Sequence, residues 1–172
     1  DNMVKESIGY TGPGNYFMPN WSVKQVEEAS SMLFQTFDKE KFYAYCKELG
    51  IEMNDFKGRM RKVSNLSDGM KVKLMLSTVL ARDTRLLLMD EPASPLDPLM
   101  RDKLCSLIQD YLNQGNGENS VFFSTHNIAE MESITDYAII MEQGQVVEQG
   151  FVEELKEKYI LVKGEAQDAA QA

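Results

Sequence analysis

Cysteine is scarce: Cys46 and Cys105 are the only two in 172 residues. That is too few for a disulfide framework and in keeping with a reducing compartment. Basic residues are outnumbered, 18 against 27 acidic ones, for a formal net charge of -9. A face that follows nucleic-acid phosphates or an anionic membrane surface by bulk charge is therefore disfavoured, and no direct nucleic-acid partner is expected. Leu86-Leu87-Leu88-Met89 is an apolar run far shorter than a bilayer span requires, so no direct membrane insertion is expected either. The opening Asp1-Asn2-Met3-Val4-Lys5-Glu6-Ser7 lacks the basic start and apolar block of a signal peptide, which points to the cytoplasm. On that expectation the sequons Asn20-Trp21-Ser22 and Asn65-Leu66-Ser67 are chance. What remains, 43% hydrophobic and 26% charged, is the composition of one globular domain with a real core.

No internal repeat is visible, and the small, polar tail 164–172 is expected to fray. Val26, Leu33, Phe34 and Phe37 follow helical spacing behind Ser22 and Gln25, which are placed as a capping box. A second helical pattern runs through Phe42, Tyr45, Cys46 and Leu49, and Gly50 stands where a left-handed residue commonly ends a helix. Residues 22 to about 64 thus read as helical. After Ser67 helices and strands alternate. A helix from about Gly69 to Arg82 carries the stripe Val72, Met75, Leu76 and Val79 and precedes the strand 86–89. Asp97-Pro98 opens the next helix and Gly115-Asn116-Gly117 closes it. The strand Val121-Phe122-Phe123 follows, then a short helix with Ile128, Met131 and Ile134, then two strands about the turn Gln143-Gly144. Such alternation predicts an α/β fold with a mostly parallel sheet, whose ligands gather at the carboxyl ends of the strands.

The polar residues fall at those ends. Strand 86–89 runs into Asp90-Glu91, and paired acids at a buried strand end are how phosphoryl-transfer sites hold a metal ion and poise a base. One strand later, Val121-Phe122-Phe123-Ser124-Thr125 ends in His126, the only histidine of the chain. Ser67 opens a helix whose free N–H groups and dipole suit an anion, although a plain serine cap has the same appearance.

Together these residues resemble the ATPase subunits of ABC transporters. Leu66-Ser67-Asp68-Gly69-Met70 is similar to their signature motif and 86–90 to their Walker B strand. Glu91 resembles their catalytic glutamate, Ser94-Pro95-Leu96-Asp97 their D-loop and Ser124-Thr125-His126 their switch histidine. The resemblance runs from about Ile8 to Gly164. Phe151-Val152-Glu153-Glu154-Leu155 and Leu161-Val162-Lys163-Gly164 look most like ABC-2 type exporters of antibiotics and drugs.

The resemblance implies a partial P-loop NTPase (RecA-like) core plus a helical signature subdomain. Its expected parts are a core-strand and Q-loop-like segment 1–21, a helical subdomain 22–64, and 65–163 with the signature helix, Walker B, D-loop and switch histidine. It implies ATP and Mg2+ as cofactors, ATP lying between two ATPase subunits. Asp90 would hold Mg2+ through water, Glu91 would activate the attacking water, and His126 would contact the terminal phosphate. Leu66, Ser67 and Gly69 would face the partner's ATP, and Asp97 would communicate across the dimer. The implied partners are a second ATPase subunit and an ABC transmembrane subunit, at the inner face of the cell membrane.

Several features depart from the family's pattern. No Gly-x-x-x-x-Gly-Lys-[Ser/Thr] occurs in the sequence, and the glycines of 9–14 lack the lysine. About the first third of the usual domain is expected to lie outside this sequence, and the chain alone is expected not to hydrolyse ATP at a meaningful rate. Pro13 stands where the Q-loop glutamine belongs, and Asp68 replaces a glycine and would set a negative charge near the partner's phosphates. Tyr16-Phe17-Met18-Pro19-Asn20-Trp21 concentrates apolar groups in a loop that in this family docks the membrane subunit. Without the P-loop strand, the expected outcome is a rearranged sheet, an edge-sharing dimer or a partner segment. The alternative function is a non-hydrolysing interaction module that lends its signature motif to a partner ATPase. A soluble ABC protein of translation or DNA repair would need a second cassette or a coiled-coil insertion, and neither is in the sequence.

Overall fold

The computed structural model describes residues 2–14, 16–55 and 57–158. They fall into two compact units, divided between Glu130 and Met131. Among the described residues no helix is long and apolar enough to cross a membrane.

The first unit is built on three parallel strands, β1 (Ile8–Thr11), β2 (Leu86–Asp90) and β3 (Ser120–Ser124), in the order β1-β2-β3. Thr11 pairs with Met89, and Asp90 with Ser124, so all three strands end at one edge of the sheet. Parallel neighbours need a crossover, and α5 (Pro98–Gln114) supplies it between β2 and β3. Asp97 opens α5 as expected, its Oδ1 accepting from Met100 N at 3.1 Å, with Pro98 in the first turn. Leu87 and Met89 are buried, while β3 alternates exposed and half-buried residues, with Phe122 60% exposed. Among the described residues β3 pairs on one side only.

Helix α1 (Asn2–Ser7) leads into β1, and between β1 and β2 the chain makes α2 (Val23–Leu33), α3 (Lys39–Glu48) and α4 (Asp68–Leu80). The capping box forms: Gln25 N donates to Ser22 Oγ at 3.2 Å, and Ser22 N donates to Gln25 Oε1 at 2.9 Å. Gly50 has φ 70° behind α3, the left-handed stop that its position suggested. Val23, Val26, Phe42, Cys46, Val63, Leu66 and Leu74 share one core. Glu27 is buried there, and Lys39 Nζ (2.9 Å), Ser31 Oγ (3.0 Å) and Tyr43 OH (3.1 Å) surround its carboxylate. Burial pushes the Glu27 pKa up, but those bonds outweigh it and hold the group below its ordinary value.

The helical reading of 22–64 is correct for α2, for α3 and, at its end, for the 3-10 turn Val63–Asn65. Residues 49–55 and 57–62 instead lie in a loop, with Asn54 bridged to Met60 and Ser22 to Lys62. Asp55 makes the reversal: its Oδ1 accepts from Lys57 N (2.8 Å) and Arg59 N (2.9 Å), and Gly58 takes φ 73°. A short acceptor closing on the backbone ahead of it wins over helix continuation. The short helix expected through Ile128, Met131 and Ile134 is instead two three-residue 3-10 turns, Ile128–Glu130 and Glu132–Ile134, interrupted at Met131 (φ -128°, ψ 3°).

The second unit contains β4 (Tyr137–Glu142), β5 (Gln145–Phe151) and α6 (Val152–Lys158). The two strands are antiparallel about the expected turn, where Gln143 (φ 49°) and Gly144 (φ 79°) adopt the left-handed pair that a tight hairpin demands. The tail from 164 and the motif Leu161-Val162-Lys163-Gly164 lie outside the described residues.

Candidate functional site

Asp90 is the last residue of β2, and the chain turns sharply at Glu91, a non-glycine residue with φ 50°. Such a conformation persists only where its surroundings enforce it. Here β3 enforces it: Glu91 N donates to Ser124 O at 3.1 Å and approaches Ser124 Oγ at 3.3 Å. Ser124 Oγ donates in turn to Asp90 Oδ1 at 2.5 Å. The strand pairing that the alternating pattern predicts thus aims both acids.

The turn brings Glu91 Oε2, itself buried, to 2.8 Å from His126 Nδ1. Contact with that carboxylate, and then its charge, raise the pKa of the exposed His126 ring above the ordinary 6.5, with Glu130 adding a smaller pull. The protonated ring is therefore favoured in the folded chain. Its stabilising contribution is complete below pH 6.5 and is lost as pH rises through the folded-state value. Proton NMR of this sole histidine is expected to give a midpoint above 6.5, and Glu91→Gln is expected to bring it back towards 6.5. Equal midpoints in the two proteins would refute the contact.

The signature-like residues separate by role. Leu66 is a core residue, 4% exposed, and its side chain is not offered to a ligand. Ser67 is exposed and caps α4, its Oγ accepting from Met70 N at 3.3 Å. Asp68 is exposed and pairs with Lys71 Nζ at 2.9 Å. Gly69 has a constraint of its own: a Cβ there would lie 2.9 Å from the backbone oxygen of Pro95. The first turn of α4 therefore rests directly on the loop that follows Glu91.

A cleft of about 300 Å³ joins these parts, lined by Thr11 and Gly12 at the end of β1, by Asp68 and Lys71, and by Asp90, Glu91 and Pro95 among others. Pro13 stands in its wall. Thr11 Oγ1 is buried in that lining without a partner among the described residues, a feature that sequence pattern did not flag. His126, Ser67, Gly69 and Asp97 do not line the cleft; His126 joins the site through Glu91, and Gly69 through Pro95. The apolar loop 16–21 divides: Phe17 is buried and Trp21 packs against the core, whereas Tyr16 and Met18 are more than half exposed. Val63 N bonds Trp21 O at 2.8 Å and Ser64 N bonds Pro19 O at 2.9 Å, so this loop also anchors the approach to Ser67.

Fold and site define a class first. A family model described as "AAA domain, putative AbiEii toxin, Type IV TA system" matches residues 35–132, more than half of the chain. An uncharacterized ABC transporter ATP-binding protein of Nostoc sp. is 25% identical over 90% of this chain and 46% of its own length. The uncharacterized ABC transporter ATP-binding protein YlmA of Bacillus subtilis is 33% identical over 77% of this chain and 50% of its own. A solved structure described as a dimeric bacterial ABC transporter cassette superposes with a TM-score of 0.69 at 19% identity, over 88% of this chain and 65% of that one. The chain belongs to the AAA-domain family that this model describes, and its relatives and structural neighbours are ABC transporter ATP-binding subunits and cassettes. It spans about half the length of the curated relatives it matches.

Proposed function

We propose that this chain supplies the acid pair, the switch histidine and the signature turn of an ABC transporter subunit that couples ATP hydrolysis to export. The observation that carries the reading is the 2.8 Å contact of His126 Nδ1 with Glu91 Oε2 at the ends of two adjacent parallel strands. Phosphoryl transfer asks mainly for positioning and charge neutralisation, and a carboxylate held beside a histidine at a strand edge can orient an attacking water. Glu91 is assigned that role and His126 the terminal phosphate.

The donor set fits Mg2+. Among the described residues no group of three His, Cys, Asp or Glu gathers to cage a metal. Mg2+ instead keeps most of its water and takes one or two carboxylates together with nucleotide phosphates. Asp90, fixed by Ser124, is the carboxylate for it, acting through water; the ion supplies neutralisation of phosphate charge. For ATP the fit is partial. The backbone cradle of a Gly-x-x-x-x-Gly-Lys-[Ser/Thr] loop is not in this sequence, so turnover is assigned to the subunit that contains one.

Ser67 and Gly69 are assigned to ATP bound on a second ATPase subunit, with Asp97 at the same interface. The exposed Tyr16 and Met18 are assigned to a transmembrane subunit at the inner, cytoplasmic face of the membrane. The ABC-2 exporter type rests on Phe151-Val152-Glu153-Glu154-Leu155.

The signature assignment has a direct test. Aspartate caps a helix as well as serine does, so Ser67→Asp is expected to keep stability within about 0.5 kcal/mol. It sets a negative charge against the partner's phosphates, and Mg-ATP-dependent dimerisation of the P-loop-containing subunit, followed by sedimentation, is expected to weaken at least about 10-fold. Unchanged dimerisation would overturn the assignment.

A further inference from the structure

We propose that Arg101 and Glu130 are positioning residues, forming a strut that ties the loop after Glu91 to the switch loop and holds His126 against Glu91. The inference rests on the roles assigned to Glu91 and His126 above and adds how their contact is set. Arg101 lies in the first turn of α5, immediately behind Asp97, and its guanidinium works in two directions. Its Nε donates to the carbonyl of Leu96 at 3.0 Å, grasping the end of the loop that starts at Glu91. Its Nη1 meets Glu130 Oε1 at 2.6 Å.

The same Glu130 oxygen accepts from Asn127 Nδ2 at 3.0 Å. Asn127 N in turn donates to Thr125 Oγ1 at 3.1 Å. Residues 125 and 127, the two neighbours of His126, are thus fastened to each other and, through Glu130 and Arg101, to the loop that carries Glu91. The pair is partly withdrawn from water, the Glu130 side chain being 10% exposed and that of Arg101 30%. It is screened less than a surface pair. The other Glu130 oxygen is buried without a partner among the described residues, so the carboxylate is anchored on one side only. A fork of donors that reaches a carbonyl and a carboxylate at once is a property of arginine that lysine does not share.

The charged groups facing His126 are Glu91 and Glu130, with Arg101 behind the latter. This arrangement separates positioning from plain electrostatics by sign. Removing the positive Arg101 by Arg101→Met would raise the His126 midpoint if only charge mattered, because Glu130 would lose its counterion. Loss of the strut releases His126 from Glu91 and lowers the midpoint instead.

The test is proton NMR titration of the single histidine in the full chain, comparing wild type with Arg101→Met, Glu91→Gln and their combination. The expected result is a fall in Arg101→Met to near the Glu91→Gln value, with no further fall in the double variant. A rise or no change in Arg101→Met, while Glu91→Gln still shifts the midpoint, would overturn the strut and leave the Glu91–His126 reading intact. No shift in Glu91→Gln would instead remove that reading and the strut with it. Should Arg101→Met not fold, Asn127→Ala cuts the last link at an exposed position; a lowered midpoint supports the strut and an unchanged one overturns it.

Discussion

Glu91→Gln is expected to lower ATP turnover of the P-loop-containing subunit by at least about 100-fold while leaving Mg-ATP affinity within about 3-fold. Glutamine preserves the volume and the backbone turn, and the φ of 50° is enforced by Ser124 rather than by the carboxylate. What is lost is the acceptor proposed to orient and deprotonate water, a contribution typically worth 10²–10⁴-fold. Asp90 cannot stand in, because its Oδ1 is engaged by the Ser124 hydroxyl at 2.5 Å. Phosphate release under single-turnover conditions reads the effect. A loss smaller than about 5-fold would mean that Glu91 serves the strand end and not the chemistry.

The second large effect is on stability. Gly69→Val is expected to destabilise the chain by about 1–3 kcal/mol, read as a shift in the urea midpoint. The first side-chain carbon would sit 2.9 Å from the Pro95 oxygen, closer than such contacts allow. That oxygen is poorly placed to retreat: Ser94 N bonds Glu91 O at 3.3 Å and Leu96 N bonds Ala93 O at 3.0 Å, so the loop is a closed series of turns. Gly69→Ala meets the same oxygen but gains up to about 1 kcal/mol of helix propensity, so a smaller loss is expected. Asp68→Ala, at an exposed position with one surface ion pair, is expected to change stability by less than about 0.5 kcal/mol. A Gly69→Val protein as stable as wild type would show that α4 does not rest on the loop. The glycine of this signature-like turn thus has a reason inside its own chain, beside the one proposed for it across a dimer.

Much of this was legible in the sequence because the signals are local. Ser22 with Gln25, Asp97 with Pro98, and Gln143 with Gly144 each fix a helix start or a turn with a few atoms, and each is realised. Asp90, Glu91 and His126 were legible as a group because parallel strands end at one edge, which period and order suffice to predict. Other features escaped, three of them for clear physical reasons. The reversal at 49–62 depends on Asp55 winning backbone donors from the helix, a competition that periodicity cannot score. Leu66 looks like part of a binding motif, but its burial is decided by contacts distant in sequence. The Arg101–Glu130 pair joins a helix start to a loop 29 positions on, and nothing in either segment announces the other.

The central claim is that these strand ends are the part of an ATPase site that activates water, completed by a phosphate-binding loop. Calorimetry of Mg-ATP binding tests it most directly, on this chain and on the chain extended upstream in its reading frame, each with a turnover assay. Binding and Glu91-dependent turnover confined to the extended form is the expected result. Robust Glu91-dependent turnover by this chain alone, or an extended form that binds no nucleotide, would contradict it.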